Sequence, residues 1–213
     1  MINRKILELI CFPGDPETMV NLLMNDGSTN AYVKQHLTKI SCHNILDLIS
    51  GEEFKYRYRI IGSKLVFWQP KNMNFTACRA VGGLNCKYLH GRYDIDSTFY
   101  SYHDKGEDCQ LVGEGSYFEH FGKEGERVVY AINEYPWTFY EEGTPLPFEQ
   151  LDRYKYRLKK DRLTEEMICD YMNALGYPID DEKFFETDMA YIIEEKPATT
   201  FTILDASPVS TAK

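Results

Sequence analysis

Short aromatic-rich segments separated by glycine-containing turns fill residues 75–141, and this pattern limits the fold more than any other feature. The 213-residue chain contains 16 Tyr and 12 Phe, which favour half-buried pleated surfaces. Sequential hairpins give antiparallel pairs, because a parallel pair needs a long crossover. We therefore predict an antiparallel sheet here. The predicted strands cover residues 75–80, 85–90, 98–103, 116–121, 126–133 and 137–141.

A further hairpin is predicted immediately before this run. Residues 54–60 alternate Phe, Tyr and Ile with Lys and Arg, Gly62-Ser63 can form a two-residue turn, and residues 65–68 form the returning strand. The alternation places the cations and the aromatic rings on opposite faces of the strand. A platform for nucleic acid needs both on one exposed face, so the pattern favours an ordinary strand.

The first third, residues 1–51, is predicted to be helical. Asp15, Pro16 and Glu17 form a helix start, because Asp caps free amides and Pro suits the first helical position. A second helix is predicted from Ser28 or Thr29 through Ile40, since Val33, Leu37 and Ile40 recur at steps of four and three. The apolar stripe continues or restarts at residues 45–49.

The last third, residues 150–205, is predicted to be mixed. Residues 154–158 alternate like a strand, and Thr164 can cap a helix that ends near Gly176. Residues 180–186 are predicted to form one further helical turn, and residues 189–193 and 200–204 to form strands. The fold class is thus α+β. We predict one domain over 1–213, with a helical start (1–51), a mainly β centre (52–143) and a mixed end (150–205).

The charge is unevenly distributed along the chain. The formal net charge is −9; residues 1–106 carry 13 Lys/Arg and 10 Asp/Glu, whereas residues 107–213 carry 11 and 23. An acidic half repels phosphate backbones and would steer a basic protein instead. We therefore expect a basic protein partner and no nucleic acid, with a homo-oligomer as a further alternative.

Cofactors, a metal ion and a membrane are not expected. The six cysteines are scattered without a C-x-x-C pair, and the five histidines show no metal-binding spacing. The apolar run at residues 6–12 is interrupted by Glu8 and ended by Pro13, which is unlike a signal segment. No window reaches the about 18 apolar residues of a spanning helix. These features predict a cytoplasmic protein with reduced thiols.

Catalytic motifs are absent from the sequence, so an enzyme is the less favoured alternative. His103, Glu119 and His120 stand near predicted strand ends, where a cleft could pair a histidine base with an orienting acid. An enzyme or small-ligand site near these two histidines is therefore the second hypothesis.

Clustered carboxylates beside aromatic residues suggest a binding surface. Aromatic residues surrounded by acidic ones are typical of a protein that binds a basic partner. The predicted binding residues are Glu141, Glu142, Asp180, Asp181, Glu182, Trp137 and Tyr140.

In size, acidity and mixed helix-strand pattern the chain is similar to small acidic immunity proteins of bacterial toxin systems. The similarity implies an immunity- or antitoxin-like neutraliser of a basic protein. It rests on no motif, so it assigns no residue of this chain a role.

Overall fold

A nine-stranded antiparallel sheet forms the frame of the protein, with strand order β2-β9-β3-β4-β1-β5-β6-β7-β8. The computed structural model describes residues 6–26, 33–49, 64–81, 86–103 and 114–197. The strands are β1 (Ile6–Pro13), β2 (Val33–Ser41), β3 (Lys64–Trp68), β4 (Phe75–Val81), β5 (Ser97–His103), β6 (Gly115–Gly122), β7 (Gly125–Asn133), β8 (Trp137–Gly143) and β9 (Met189–Pro197). The helices are α1 (Pro16–Asn25), α2 (Leu46–Ile49), α3 (Cys86–Tyr93) and α4 (Glu165–Ala174).

Each face of the sheet carries its own hydrophobic core. On one side, Val66, Trp68 and Phe118 pack with Met167 and Tyr171 of α4. We call this side the α4 face. On the other, the α3 face, the core is formed by Ile10, Phe12, Phe67 and residues of α1 and α3. Successive residues of a strand point to opposite faces of the sheet. When a strand residue belongs to one core, its two neighbours in the strand therefore point to the other face.

The antiparallel sheet predicted for the middle of the chain is confirmed, except at residues 85–90. Residue 85 lies outside the described residues, and residues 86–90 belong to α3, whose buried residues are Cys86 and Leu89. Strand β3 matches the predicted return strand at residues 65–68. The predicted strand at 54–60 and its turn lie outside the described residues.

The predicted helical start is correct only for α1 and the short α2. The Asp15 carboxylate accepts the backbone N–H of Thr18 at 2.9 Å, as expected for the cap of α1. Residues 6–13 instead form β1, near the centre of the sheet, and residues 33–41 form the edge strand β2. Sheet strands therefore come from all three predicted regions of the chain.

In the last third, helix α4 is confirmed, with Thr164 as its cap. The turn at 180–186 is confirmed as the 3₁₀ helix Glu182–Phe185, and the strand at 189–193 as β9. The strand predicted at 154–158 is wrong: the chain there forms two 3₁₀ turns, Arg153–Lys155 and Lys159–Asp161. The strand predicted at 200–204 lies outside the described residues.

None of the described helices is long and apolar enough to span a bilayer.

Candidate functional site

Three strands at one end of the sheet align their side chains into two parallel rows on the α3 face. Tyr117, Tyr130 and Tyr140 are direct cross-strand partners on β6, β7 and β8. They point to the α3 face because their neighbours Phe118, Val129 and Phe139 pack into the α4-face core. The adjacent row consists of Glu119, Val128 and Glu142. We call these two rows, together with Glu126, the tyrosine face.

The tyrosine rings stack against one another across the strands. The ring centroids of Tyr117 and Tyr130 are 5.7 Å apart with an interplanar angle of 6°. Those of Tyr130 and Tyr140 are 5.2 Å apart at 21°. Phe99 of β5 contacts Tyr117 edge-on at 5.5 Å. Aromatic cross-strand pairs stabilise a sheet, so the row forms a rigid ridge.

The carboxylates of the tyrosine face are oriented by the tyrosine hydroxyls. Tyr117 donates its hydroxyl hydrogen to Oε2 of Glu119 at 2.8 Å, and Tyr140 donates to Glu142. Burial, followed by the charge of Glu119, raises the pKa of Tyr117, so this hydroxyl stays protonated as a donor. The carboxylates are therefore held beside the rings.

Negative charge on the tyrosine face is uncompensated. Glu119, Glu126 and Glu142 point to the α3 face of β6–β8, and the residues of these strands that point the same way include no Lys or Arg. Among the described residues, none of the three glutamates forms an ion pair. Helix α1 packs on β3, β4 and β9, and α3 packs on β5 and β6, where Tyr117 and Glu119 are half-buried. Tyr140, Glu126 and Glu142 are exposed, which leaves the acidic end available to a partner.

The predicted binding residues of β8 are divided between the two faces of the sheet. Tyr140 and Glu142 belong to the tyrosine face. Trp137 packs against the α4-face core, and Glu141 pairs with Nη2 of Arg127 at 2.7 Å. The predicted cluster on β8 thus divides between the exposed tyrosine face and the packed α4 face.

The predicted carboxylates at 180–182 lie elsewhere. Asp180 accepts from Nδ2 of Asn173 in α4, and Asp181 accepts the backbone N–H of Lys183. The 3₁₀ helix that follows them packs on Trp68 of β3. Six inter-strand steps separate β3 from β8 in the sheet order, or about 29 Å at the usual spacing. The acidic residues of β8 and of 180–182 do not form one surface.

Sequence reasoning missed Tyr117, Glu119, Glu126 and Tyr130 as parts of this site. Each lies in a correctly predicted strand, and the Tyr-x-Glu spacing of residues 117–119 and 140–142 was the available signal. The spacing places Tyr and Glu on one face of each strand, but only the register across three strands assembles them into rows.

The two histidines of the catalytic hypothesis do not converge. His103 follows the α4-face residue Tyr100 by three positions and points to the α3 face. His120 follows Phe118 by two and points to the α4 face, where its Nδ1 lies 2.9 Å from the hydroxyl of Thr98. Burial lowers the pKa of His120. The strand register also separates the two by five residues, so they share no cleft.

His103 belongs to a largely buried polar cluster near the start of β1. Its Nε2 lies 3.3 Å from Oε1 of Glu8. Nη1 of Arg79 donates to the Glu8 carbonyl at 2.9 Å, beyond the last pair of the β1–β4 ladder. Burial raises the pKa of Glu8, but His103 and Arg79 outweigh burial and lower it. Beyond the last β1–β4 pair, the Arg79 side chain therefore takes the place of a strand-to-strand hydrogen bond to the Glu8 carbonyl.

The replacement Glu8→Gln should change how stability depends on pH. Because the folded pKa lies below the ordinary value of about 4.3, the ionised carboxylate stabilises the fold above that pH, and this contribution is lost as the pH falls toward the folded pKa. The wild type should therefore lose more free energy of unfolding than Glu8→Gln on acidification, measured by urea unfolding. Glu126→Gln is the exposed control. A pH-independent difference between wild type and Glu8→Gln would contradict the prediction.

Outside the tyrosine face, a groove at the sheet edge is lined by charged side chains that already form ion pairs. A groove of about 490 Å³ between α1 and β9 includes Glu17, Lys71 and Asp188. Glu17 pairs with Lys39, and Lys71 with Asp188.

The described cysteines are free, and three are buried. Burial raises the thiol pKa at Cys11, Cys78 and Cys86, while Cys109 lies outside the described residues. In the described ranges, no three His, Cys, Asp or Glu side chains are placed to hold a metal ion.

In comparisons with known proteins, no family model matches the chain, and no curated protein or solved structure matches it.

Proposed function

We propose that the protein binds a basic protein partner through the tyrosine face. The observation that carries the proposal is the adjacency of a stacked Tyr117–Tyr130–Tyr140 row and the carboxylates of Glu119 and Glu142. Stacked rings supply rigid contact area, and Tyr is enriched at binding hot spots. Carboxylates without an ion pair supply complementarity to lysine and arginine side chains.

The charge layout supports a basic partner over an acidic or neutral one. An acidic partner would face three uncompensated carboxylates, and like charges brought together across an interface are costly. A basic partner would be attracted during encounter, and the attraction should weaken at high salt because exposed charges are screened. We infer the finer role from the same features: the protein neutralises its partner in the manner of an immunity or antitoxin factor.

The test compares two variants that remove equal charge. Replacement of Glu119, Glu126 and Glu142 by Gln should weaken partner binding about tenfold, if each lost carboxylate–cation pair contributes about 0.5 kcal/mol. The matched control replaces Asp180 and Asp181 by Asn and Glu182 by Gln, which keeps their hydrogen-bond acceptors. Tagged wild type and both variants are used to capture proteins from a lysate of the native source at low and moderate salt. The captured protein is then purified and titrated.

A basic protein that binds wild type and control equally, and the Glu119/Glu126/Glu142 variant more weakly, supports the proposal. Equal binding to all three proteins would overturn it, as would the failure of wild type to capture any basic protein. For the finer role, the partner should be harmful when expressed alone and harmless when expressed with wild type. A harmless partner would sink the neutraliser role and leave the binding surface in place.

A further inference from the structure

A second exposed surface carries the opposite charge. Residues 151–162, which we call the basic segment, contain six Lys or Arg and two Asp in a chain with a net charge of −9. Lys155 pairs with Asp152 at 2.9 Å. Within the described residues, the other five cations have no carboxylate at ion-pair distance. These five are Arg153, Arg157, Lys159, Lys160 and Arg162.

Apolar side chains project from the same segment. Leu151 is 42% exposed, Tyr156 45% and Leu158 54%. They are three of the six large hydrophobic residues that are exposed in the described part of the chain. Scattered exposed hydrophobic residues need no explanation, but a cluster marks a surface that contacts protein or membrane.

The basic segment is held in place from beneath. The Tyr154 hydroxyl donates to Oε2 of the buried Glu149 at 2.9 Å. Nε of Arg162 donates to the Tyr156 carbonyl at 2.7 Å, and its guanidinium lies 5.2 Å from the ring centre of Phe139. A segment anchored in this way presents its apolar tips without an ordering cost on binding.

We propose that the basic segment docks on an anionic membrane surface, with Tyr156 and Leu158 entering the headgroup boundary and the exposed cations Arg157, Lys159 and Lys160 facing lipid phosphate and carboxylate groups. Combined apolar and cationic contacts are what an interfacial anchor requires. The basic segment lies on the α4 face, through Tyr154 and Phe139, whereas the acidic tyrosine face lies on the opposite side of the sheet. This polarity orients the acidic face away from the bilayer. The proposal does not depend on the proposed function.

Other anionic partners fit these residues less well. Single-stranded nucleic acid needs open aromatic faces for stacking, but the guanidinium of Arg153 covers the ring of Tyr156 at 4.9 Å, and Leu158 cannot stack. A stable protein interface uses about 20–30 residues on each side. The basic segment supplies about half of that number, whereas membrane insertion needs only a few apolar tips.

The experiment is co-sedimentation of the full chain with vesicles of phosphatidylcholine alone or of phosphatidylcholine with phosphatidylserine. Wild type should bind only the anionic vesicles. Replacement of Arg157, Lys159 and Lys160 by Glu should lower the partition coefficient more than about 100-fold. The matched control replaces Lys87, Lys123 and Lys183, exposed cations outside the segment, by Glu and should retain binding. Leu158→Ser should weaken binding while the basic charge is kept.

Several results would overturn the proposal. They are no binding to anionic vesicles, equal binding to both vesicle types, or an equal loss in both charge-reversal variants, which would reflect net charge alone. Binding of wild type to a single-stranded RNA homopolymer without binding to anionic vesicles would assign the basic segment to nucleic acid instead. Circular dichroism confirms that each variant is folded before the comparison.

Discussion

Replacing Arg127 by Met should lower the free energy of unfolding by about 3–5 kcal/mol, because it leaves a buried carboxylate without its partner. Arg127 is 2% exposed and the Glu149 side chain 0%. Nε and Nη2 of Arg127 donate to the Glu149 carboxylate at 2.8–3.0 Å. The guanidinium also donates to the backbone carbonyls of Glu142 and Gly143. Urea unfolding measures the loss.

A second substitution should recover part of this loss. Glu149 also accepts from the backbone N–H of Leu146 at 2.7 Å and from the Tyr154 hydroxyl. Glu149→Gln removes the charge and keeps one acceptor oxygen for the Leu146 N–H, while its amide NH2 can donate to the hydroxyl oxygen of Tyr154. Arg127→Met with Glu149→Gln should therefore be more stable than Arg127→Met alone, even though it carries one more change. An absence of recovery would show that the lost hydrogen bonds, and not the unpaired charge, account for the destabilisation.

The Arg127 network gives Glu141 a structural partner that the sequence did not indicate. In sequence, Glu141 and Glu142 are adjacent acidic residues of one strand, and both suggested a binding surface. Because neighbours on a strand point to opposite faces, only one of them can share a face with Tyr140. Assigning the faces required knowing that Phe139 packs inward, which depends on tertiary contacts.

The two strands that sequence analysis misassigned, β2 and β1, both carry apolar residues on the two faces of the sheet. Leu37 of β2 packs toward the α3-face core and Ile40 toward the α4-face core. A strand with apolar residues on both sides loses its two-residue alternation, so the steps of four and three imitated a helix. Strand β1 has the same property: Leu9, Ile10, Cys11 and Phe12 are all buried. The strands of the tyrosine face alternate more clearly, and they were predicted correctly.

The opposite error occurred at residues 154–158, which alternate without being a strand. Tyr154 is buried because its hydroxyl binds Glu149 and Tyr171, whereas Tyr156 and Leu158 are exposed. The alternation therefore consists of one buried, hydrogen-bonded side chain, Tyr154, and two exposed ones, Tyr156 and Leu158. Propensity alone cannot distinguish this from a pleated strand, since Tyr favours both settings.

Replacing Trp68 by Ala should be as damaging as the loss of Arg127, at about 3–5 kcal/mol of unfolding free energy. Trp68 is fully buried on β3, and its Nε1–H donates to the Phe184 carbonyl at 2.9 Å. Its ring also contacts Phe184 edge-on at 5.9 Å. The substitution creates a cavity and leaves that carbonyl without its donor. Urea unfolding followed by circular dichroism measures the effect.

The second tryptophan gives the matched control for this prediction, since the chain contains only two. Trp137 is half-buried on β8, so Trp137→Ala should cost less than Trp68→Ala. Because Trp68 anchors the 3₁₀ helix beside residues 180–182, its loss should disturb that acidic cluster while β6–β8 keep their own pairing. If the tyrosine face binds a basic partner as proposed, folded Trp68→Ala protein should therefore bind that partner with wild-type affinity. Reduced affinity in the folded variant would mean that residues 180–182 contribute to binding, contrary to the separation of the two acidic clusters across the sheet.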